Sequence, residues 1–178
     1  AVEALQWTMN QVRKVDYNPQ GDDPEALLKS VKAGSGALCG DMADLYRHTL
    51  AVAGIPSRKI WLYRDLFSLD THATVEVFLN GKWVLMSPTF GVYFTNAKNQ
   101  ILSVQELKAI CFQGKEAGIR PIFINRRSYP AQMKNYYINY ILLYNNVFVV
   151  EKPGFFARQI PPFCYWFGTK LYYERLPN

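Results

Sequence analysis

The first part of the chain carries apolar residues at helical spacing. Leu5, Met9 and Val12 recur at intervals of three and four residues, which predicts an opening helix over Ala4–Val15. After a turn-rich segment, Asp23-Pro24-Glu25 has proline at a first helical position and an acid in the first turn. These features predict a second, short helix.

A third helix is predicted to begin at about Cys39. The Gly-rich segment 33–36 separates it from the second helix, and Gly54 follows its last turn. One stripe of the helix is apolar and consists of Met42, Leu45, Tyr46, Leu50 and Ala53. Cys39 is therefore expected at a helix N-terminus.

A β-hairpin is predicted at Asn80-Gly81, the strongest short hairpin signal in the chain. It joins Thr71–Leu79 to Lys82–Met86, and Arg58–Tyr63 is a further candidate strand. Counting along the pleat separates two faces of the hairpin. The apolar face is predicted to be the core and carries Ala73, Val75, Val77, Leu79, Val84 and Met86. The opposite face carries His72, Thr74, Glu76, Phe78, Trp83, Leu85 and Ser87.

The second half of the chain has weaker patterns. Ser103–Ala109 resembles a short capped helix, Arg120–Ile124 and Val147–Val150 are candidate strands, and Pro130–Tyr144 has apolar residues at helical spacing. The tail from Gly154 is rich in proline and aromatic residues. Because no repeat or linker marks a boundary, we expect one domain over residues 1–178.

Composition and charge narrow the class of protein. A chain of 178 residues that is 49% hydrophobic and 15% aromatic fits one globular domain and excludes a disordered one. The net charge of +6 is interpreted as a solvated surface, so we expect no nucleic-acid partner. No stretch approaches eighteen consecutive apolar residues, which predicts no membrane span, and the compartment stays open.

The cysteines and histidines do not form a metal motif. Cys39, Cys111 and Cys164 lie far apart with no CxxC, and His48 and His72 are not at helical metal-ligand spacing. We therefore expect no metal, no organic cofactor and no disulfide framework. Cys111 and Cys164 are assigned to core packing, and His48 to a solvated helix face.

Cys39 and His72 together suggest nucleophilic catalysis. The N–H groups and the macrodipole at a helix N-terminus favour a thiolate, which is the nucleophilic form of cysteine. The backbone N–H of Cys39 can stabilise an oxyanion, and His72 can act as general base and acid. Asp41 and Asp44, in the first turns of the same helix, oppose a second negative charge, so both side chains must point away from the sulfur.

The imidazole of His72 needs a partner to orient it. Ser87 is its diagonal neighbour on the same face of the hairpin, at about 7–8 Å between backbones, and is the preferred candidate. Thr89, which faces His72 if the pairing extends that far, is the second candidate. Glu76 shares the face but lies about 13 Å along the strand, which is too far.

Four segments in this order resemble the core of the transglutaminase-like superfamily, a papain-related group of transglutaminases, peptidases, peptide N-glycanases and inactive relatives. They are Gly36-Ala37-Leu38-Cys39-Gly40-Asp41-Met42-Ala43, Ala53-Gly54-Ile55-Pro56-Ser57-Arg58, His72-Ala73-Thr74-Val75-Glu76-Val77 and Gly81-Lys82-Trp83-Val84-Leu85-Met86-Ser87-Pro88-Thr89. The resemblance covers about residues 7–94 and implies a family-specific extension over 95–178. It also implies a Cys-His-Asp triad in which Cys39 is the nucleophile and His72 the base.

The chain departs from the family pattern at two points. Ser87 stands where the family usually has Asp, and removing that acid from a serine protease costs about 10⁴ in rate. Cysteine depends on it less, so we expect weakened activity rather than none. The Gly-to-Cys spacing is one residue longer than usual. The resemblance implies an upstream oxyanion donor, for which Trp7 and Tyr17 are the candidates.

Together these observations predict an α+β fold of papain-like, transglutaminase-core type, in which N-terminal helices, one carrying Cys39 at its N-terminus, pack on an antiparallel sheet. The expected function is acyl transfer from an amide or ester by Cys39, His72 and Ser87, with a peptide or protein substrate preferred over a glycan. The alternative is a catalytically impaired pseudoenzyme that binds a peptide or glycan. Two weaker alternatives are a basic module for anionic polymers and a polymer-binding groove built from Tyr165, Trp166, Tyr172 and Tyr173.

Overall fold

One face of a six-stranded antiparallel sheet is covered by the third helix of the chain, against which the first two helices pack. The structure is a computed structural model and describes residues 1–14, 16–18, 20, 23–63, 71–113, 118–121 and 146–150. Three helices come first along the chain, and the antiparallel strands follow them, with one further helix between the fourth and fifth strands. This arrangement confirms the α+β class that the patterns predict.

The helices are α1 (Val2–Gln11), α2 (Pro24–Lys32), α3 (Cys39–Val52) and α4 (Val104–Phe112). Asp23 caps α2 by accepting the N–H groups of residues 25 and 26. Ser103 and Glu106 form a reciprocal capping box at α4, since each side chain accepts the other residue's backbone N–H. The predicted starts of α2 and α3 are confirmed.

The sheet has the order β5-β4-β3-β2-β1-β6. The strands are β1 (Ser57–Tyr63), β2 (Thr71–Leu79), β3 (Lys82–Ser87), β4 (Val92–Thr95), β5 (Gly118–Pro121) and β6 (Asn146–Val150). Asn80 and Gly81 have φ of 53° and 79°, as a two-residue turn with positive φ requires, and Leu79 pairs with Lys82. The predicted hairpin and its register are confirmed.

The main core lies between α1, α3 and the apolar face of the hairpin. Leu5, Ala43, Tyr46 and Leu50 from the helices pack against the hairpin. The strand residues of this cluster are Ala73, Val75, Val77, Val84 and Met86, with Leu79 partly buried beside them. The assignment of faces from the pleat is therefore confirmed.

The opposite face of the hairpin is also buried at several positions. Thr74 and Leu85 are fully buried there, and the Leu85 N–H donates to the carbonyl of Leu102, just before α4. Glu76 accepts the N–H of Val104 at the start of α4 at 2.9 Å. The segment leading into α4 thus covers this face.

Several predictions differ from the structure. The first helix ends at Gln11 rather than Val15, because Val12 is extended (φ −98°, ψ 116°) and Lys14 then pairs through its carbonyl with the N–H of Ala37. Strand β4 was not predicted, and the candidate strand at 120–124 is described only over 118–121. The predicted helix over 130–144, Cys164 and the aromatic tail lie outside the described residues. In the part of the chain that is described, no helix has both the length and the apolar character needed to cross a bilayer.

Candidate functional site

Cys39 is the first residue of α3 and is half-buried, with a free thiol. The residue before it, Leu38, caps the helix in an extended conformation but has no side-chain acceptor for the first N–H groups. Those groups have no partner within the helix either. The N-terminus of α3 therefore presents backbone donors next to the sulfur.

The sulfur of Cys39 lies against the start of β2. Its Sγ accepts the backbone N–H of Ala73 at 3.5 Å. Because this N–H belongs to the peptide that follows His72, standard backbone geometry places the Cα of His72 no more than about 6 Å from the sulfur. Helix α3 and strand β2 thus bring the sulfur of Cys39 close to the backbone of His72, 33 positions away in the chain.

His72 is almost completely buried, with 4% of its surface exposed. Its ring lies 5.3 Å from the ring of Phe90, centroid to centroid. Burial lowers the pKa of His72 to about 4, because the charged imidazolium loses its hydration. At neutral pH the ring is therefore uncharged, and its burial opposes protonation.

The pairing of β2 with β3 does not extend to Ser87 and Thr89. The ladder between β2 and β3 ends at Val75 and Met86, and on its other side β3 pairs with β4 through Met86 and Ser87. Thr89 consequently lies in the turn between β3 and β4 and is not paired opposite His72. Ser87 is fully buried, and no group in the described part of the chain hydrogen-bonds its Oγ. The hydrogen bond between Ser87 and His72 is therefore not made.

Glu76 is engaged away from His72, as its distance along the strand predicts. Its Oε2 accepts the Nε and Nη2 of Arg58 at 2.9 and 2.6 Å, and its Oε1 accepts the N–H of Val104. The Arg58 guanidinium also lies over the ring of Trp83, at 4.2 Å from the centroid. Glu76 therefore joins β1, β2 and α4.

The two acids of α3 behave differently. Asp44 turns towards β1 and binds the ammonium of Lys59 at 2.5 Å. Asp41 turns back to the helix N-terminus and accepts the N–H of Leu38 at 2.8 Å. The carboxylate of Asp41 thus serves as a backbone cap, and the expectation that it points away from the sulfur stays a prediction.

Two residues of β1 border the site and were not predicted from the sequence. Trp61 pairs with Ala73, and a Cβ on Gly40 would lie 3.7 Å from both the Trp61 ring and the Lys59 ammonium. The Lys59 nitrogen lies 4.8 Å from the centre of the Trp61 ring. The Asn-Gly turn fixes only the register of β2 with β3, so no sequence signal set the register of β1 with β2.

The proposed oxyanion side chains are exposed. Trp7, on α1, is 40% exposed, and Tyr17 is 72% exposed. Tyr17 follows Asp16, whose backbone and Cβ pack closely against Gly36, near the start of α3. Tyr17 is therefore adjacent in the chain to a residue that contacts the loop before Cys39.

His48 is exposed on α3, as predicted, and lines a surface cavity of about 320 Å³ at the C-terminal end of that helix. Arg47, Gly54 and Ser57 also line this cavity, which lies at the other end of the helix from Cys39. Over the described residues, no group of three or more His, Cys, Asp or Glu side chains is arranged to hold a metal ion.

Comparison with known proteins gives one match. The family model of the transglutaminase-like superfamily matches residues 1–88. No curated protein and no solved structure matches the chain. The matched region contains α1 to α3 and β1 to β3, and so both Cys39 and His72.

Proposed function

Since the chain belongs, through residues 1–88, to the transglutaminase-like superfamily, we propose that it is an acyl-transfer enzyme with Cys39 as nucleophile and His72 as base. Membership suggests cysteine-based acyltransferase or hydrolase activity. The observation that carries the assignment to these residues is the contact between the Cys39 sulfur and the peptide that follows His72, at the N-terminus of α3.

The proposed reaction has two steps. The thiol proton of Cys39 passes to the neutral imidazole of His72, and the sulfur attacks the carbonyl carbon of an amide or ester. The backbone N–H groups at the start of α3 stabilise the resulting oxyanion. The bond to the leaving group then breaks, the leaving amine or alcohol takes the proton from His72, and a thioester remains on Cys39.

The acyl group of the thioester is then transferred to water or to an amine, and the thiol of Cys39 is restored. Hydrolysis is the preferred outcome, since nothing in the described site defines a place for an acceptor amine. A peptide or protein is the preferred acyl donor, and a glycan-linked amide is the second choice. The thiol supplies the nucleophile, so the proposed cycle uses no metal and no organic cofactor.

The test follows acylation of Cys39 by p-nitrophenyl acetate, with p-nitrophenolate release measured by absorbance and the acetylated residue identified by peptide mass spectrometry. Wild-type Cys39 is expected to acylate at least about tenfold faster than free cysteine at pH 7, and His72→Ala to remove the advantage. His48→Ala, a change at an exposed histidine of α3, is the matched control and leaves the rate unchanged. A wild-type rate equal to that of free cysteine overturns the proposal.

A pseudoenzyme that binds a peptide or glycan is the second candidate, and two observations favour it. Ser87 Oγ is buried without a hydrogen bond to His72, and burial disfavours the imidazolium that catalysis forms. Ser87→Asp separates the candidates by the same assay. A rise in acylation from the level of free cysteine favours the pseudoenzyme. A fall from a measurable wild-type rate means that Ser87 already supports the reaction.

A further inference from the structure

A buried carboxamide holds the loop that leads into the nucleophile. Asn18 is 3% exposed, and its Nδ2 donates to the carbonyl of Gly36 at 2.8 Å and to Ser30 Oγ at 3.3 Å. Its Oδ1 accepts the N–H of Gln20 at 3.0 Å. Asn18 therefore connects α2 and the segment before it to the loop that ends at Leu38.

The segment around Asn18 and this loop are in direct backbone contact. The N–H of Ala37 donates to the carbonyl of Lys14 at 3.2 Å. A Cβ on Gly36 would lie 2.2 Å from the Cβ of Asp16 and 2.7 Å from its backbone nitrogen, so only glycine permits this approach. The Gly36–Ala37 peptide is thus held by the bond from Asn18 and by its contacts with Lys14 and Asp16.

We propose that Asn18 is a positioning residue for the Cys39 site, which holds the Gly36–Ala37 peptide so that the first N–H groups of α3 face the acyl oxygen. This role rests on the proposed function. Leu38 has no side chain able to fix the entry of the chain into α3, so the direction of these donors depends on the Asp41 cap and on the bonds that hold the preceding loop, among them the bond from Asn18.

The physical reason is that oxyanion stabilisation is sensitive to distance. Backbone donors contribute about 10²–10³ in rate when they lie near 2.7–3.1 Å from the oxyanion, and a displacement of about 1 Å loses much of that. Alkylation by iodoacetamide forms no oxyanion, because the sulfur displaces iodide at a saturated carbon. Loss of the hydrogen bond from Asn18 to Gly36 should therefore slow acylation far more than alkylation.

The test compares both reactions of Cys39 in the full chain. Asn18→Asp keeps the shape and the acceptor Oδ1 but places an oxygen against the Gly36 carbonyl. We expect its acylation by p-nitrophenyl acetate to fall about tenfold while alkylation by iodoacetamide changes less than about twofold. Asn96→Asp is the matched control, since the Oδ1 of Asn96 likewise accepts backbone N–H groups in a turn, after β4, and it should change neither rate.

The outcomes separate this role from the proposed function. Acylation unchanged in folded Asn18→Asp, or acylation and alkylation reduced by the same factor, overturns the positioning role alone. A wild-type chain that acylates no faster than free cysteine overturns the proposed function and this role together. If thermal unfolding shows that Asn18→Asp does not fold, Asn18→Ala takes its place. It removes the bond to the Gly36 carbonyl without adding a charge, and an acylation rate equal to wild type then overturns the role.

Discussion

The buried imidazole of His72 gives the protein a specific dependence of stability on pH. Its pKa is lowered from 6.5 to about 4 in the folded chain, so between these values the unfolded chain binds a proton that the folded chain does not. Stability is therefore complete above about pH 6.5 and falls as the pH drops towards 4. The loss approaches about 3 kcal/mol at pH 4.

This loss is measurable as a difference between two proteins. Urea unfolding from pH 7 to pH 4 should show that the wild type loses about 3 kcal/mol more than His72→Gln, whose side chain does not titrate. Carboxylates contribute equally to both proteins and cancel in the difference. His48→Gln, at the exposed histidine, should keep the wild-type loss. Parallel curves for wild type and His72→Gln would show that the ring is not held neutral.

The same burial bears on the proposed proton transfer. Moving the Cys39 proton to His72 would create an imidazolium at a position that is 4% exposed, where burial disfavours the charged form. In the proposed reaction we therefore expect proton transfer to accompany attack on the acyl carbon.

Helix α3 combines an unfavourable cap with an accessible N-terminus. Leucine is among the poorest N-cap residues, and serine at such a position typically adds about 1 kcal/mol. Leu38→Ser should raise the free energy of unfolding by about that amount, because its hydroxyl accepts an N–H of the first turn. The same bond occupies a donor needed for the oxyanion, so acylation of Cys39 should fall.

A matched cap at α2 separates the two effects. Asp23→Ala removes the acceptor of the N–H groups of residues 25 and 26, so it should cost about 1 kcal/mol and leave acylation unchanged. Both variants are measured by urea unfolding and by p-nitrophenolate release. A Leu38→Ser variant that is more stable and acylates as fast as wild type would contradict a role for the free helix terminus.

For the whole molecule, the sequence predicts what is encoded locally. The Asn80-Gly81 turn determines the register of two strands, and the alternation along them identifies both faces. Pro24 and Gly54 mark ends of helices for equally local reasons. These signals suffice to place Cys39 at a helix start and His72 on a neighbouring strand.

Contacts between distant segments were not predictable in the same way. Trp61 reaches the site only because β1 pairs with β2, and Asn18 binds Gly36 only because two irregular segments pack together. The turn after Ser87, which takes Thr89 out of the sheet, depends on the pairing of β3 with the short strand β4. Each of these contacts depends on tertiary packing, which the periodicity of the sequence does not reveal.

The ion pair of Arg58 and Glu76, with side chains 6% and 1% exposed, joins the neighbouring strands β1 and β2, and Glu76 also accepts the N–H of Val104 at the start of α4. Removing one partner leaves a buried charge uncompensated, so Arg58→Met should cost about 3–5 kcal/mol. The double variant Arg58→Met/Glu76→Met should cost clearly less than the sum of the single variants, because no lone charge remains.

The ion pair of Lys82 and Glu106, whose side chains are 40% and 46% exposed, is the solvent-exposed control for the buried pair. Lys82→Met should cost at most about 1 kcal/mol, since water and salt screen that pair. All variants are compared by urea unfolding at pH 7. Equal costs for Arg58→Met and Lys82→Met, or strict additivity in the double variant, would mean that the buried pair does not join β1, β2 and α4 as the structure indicates.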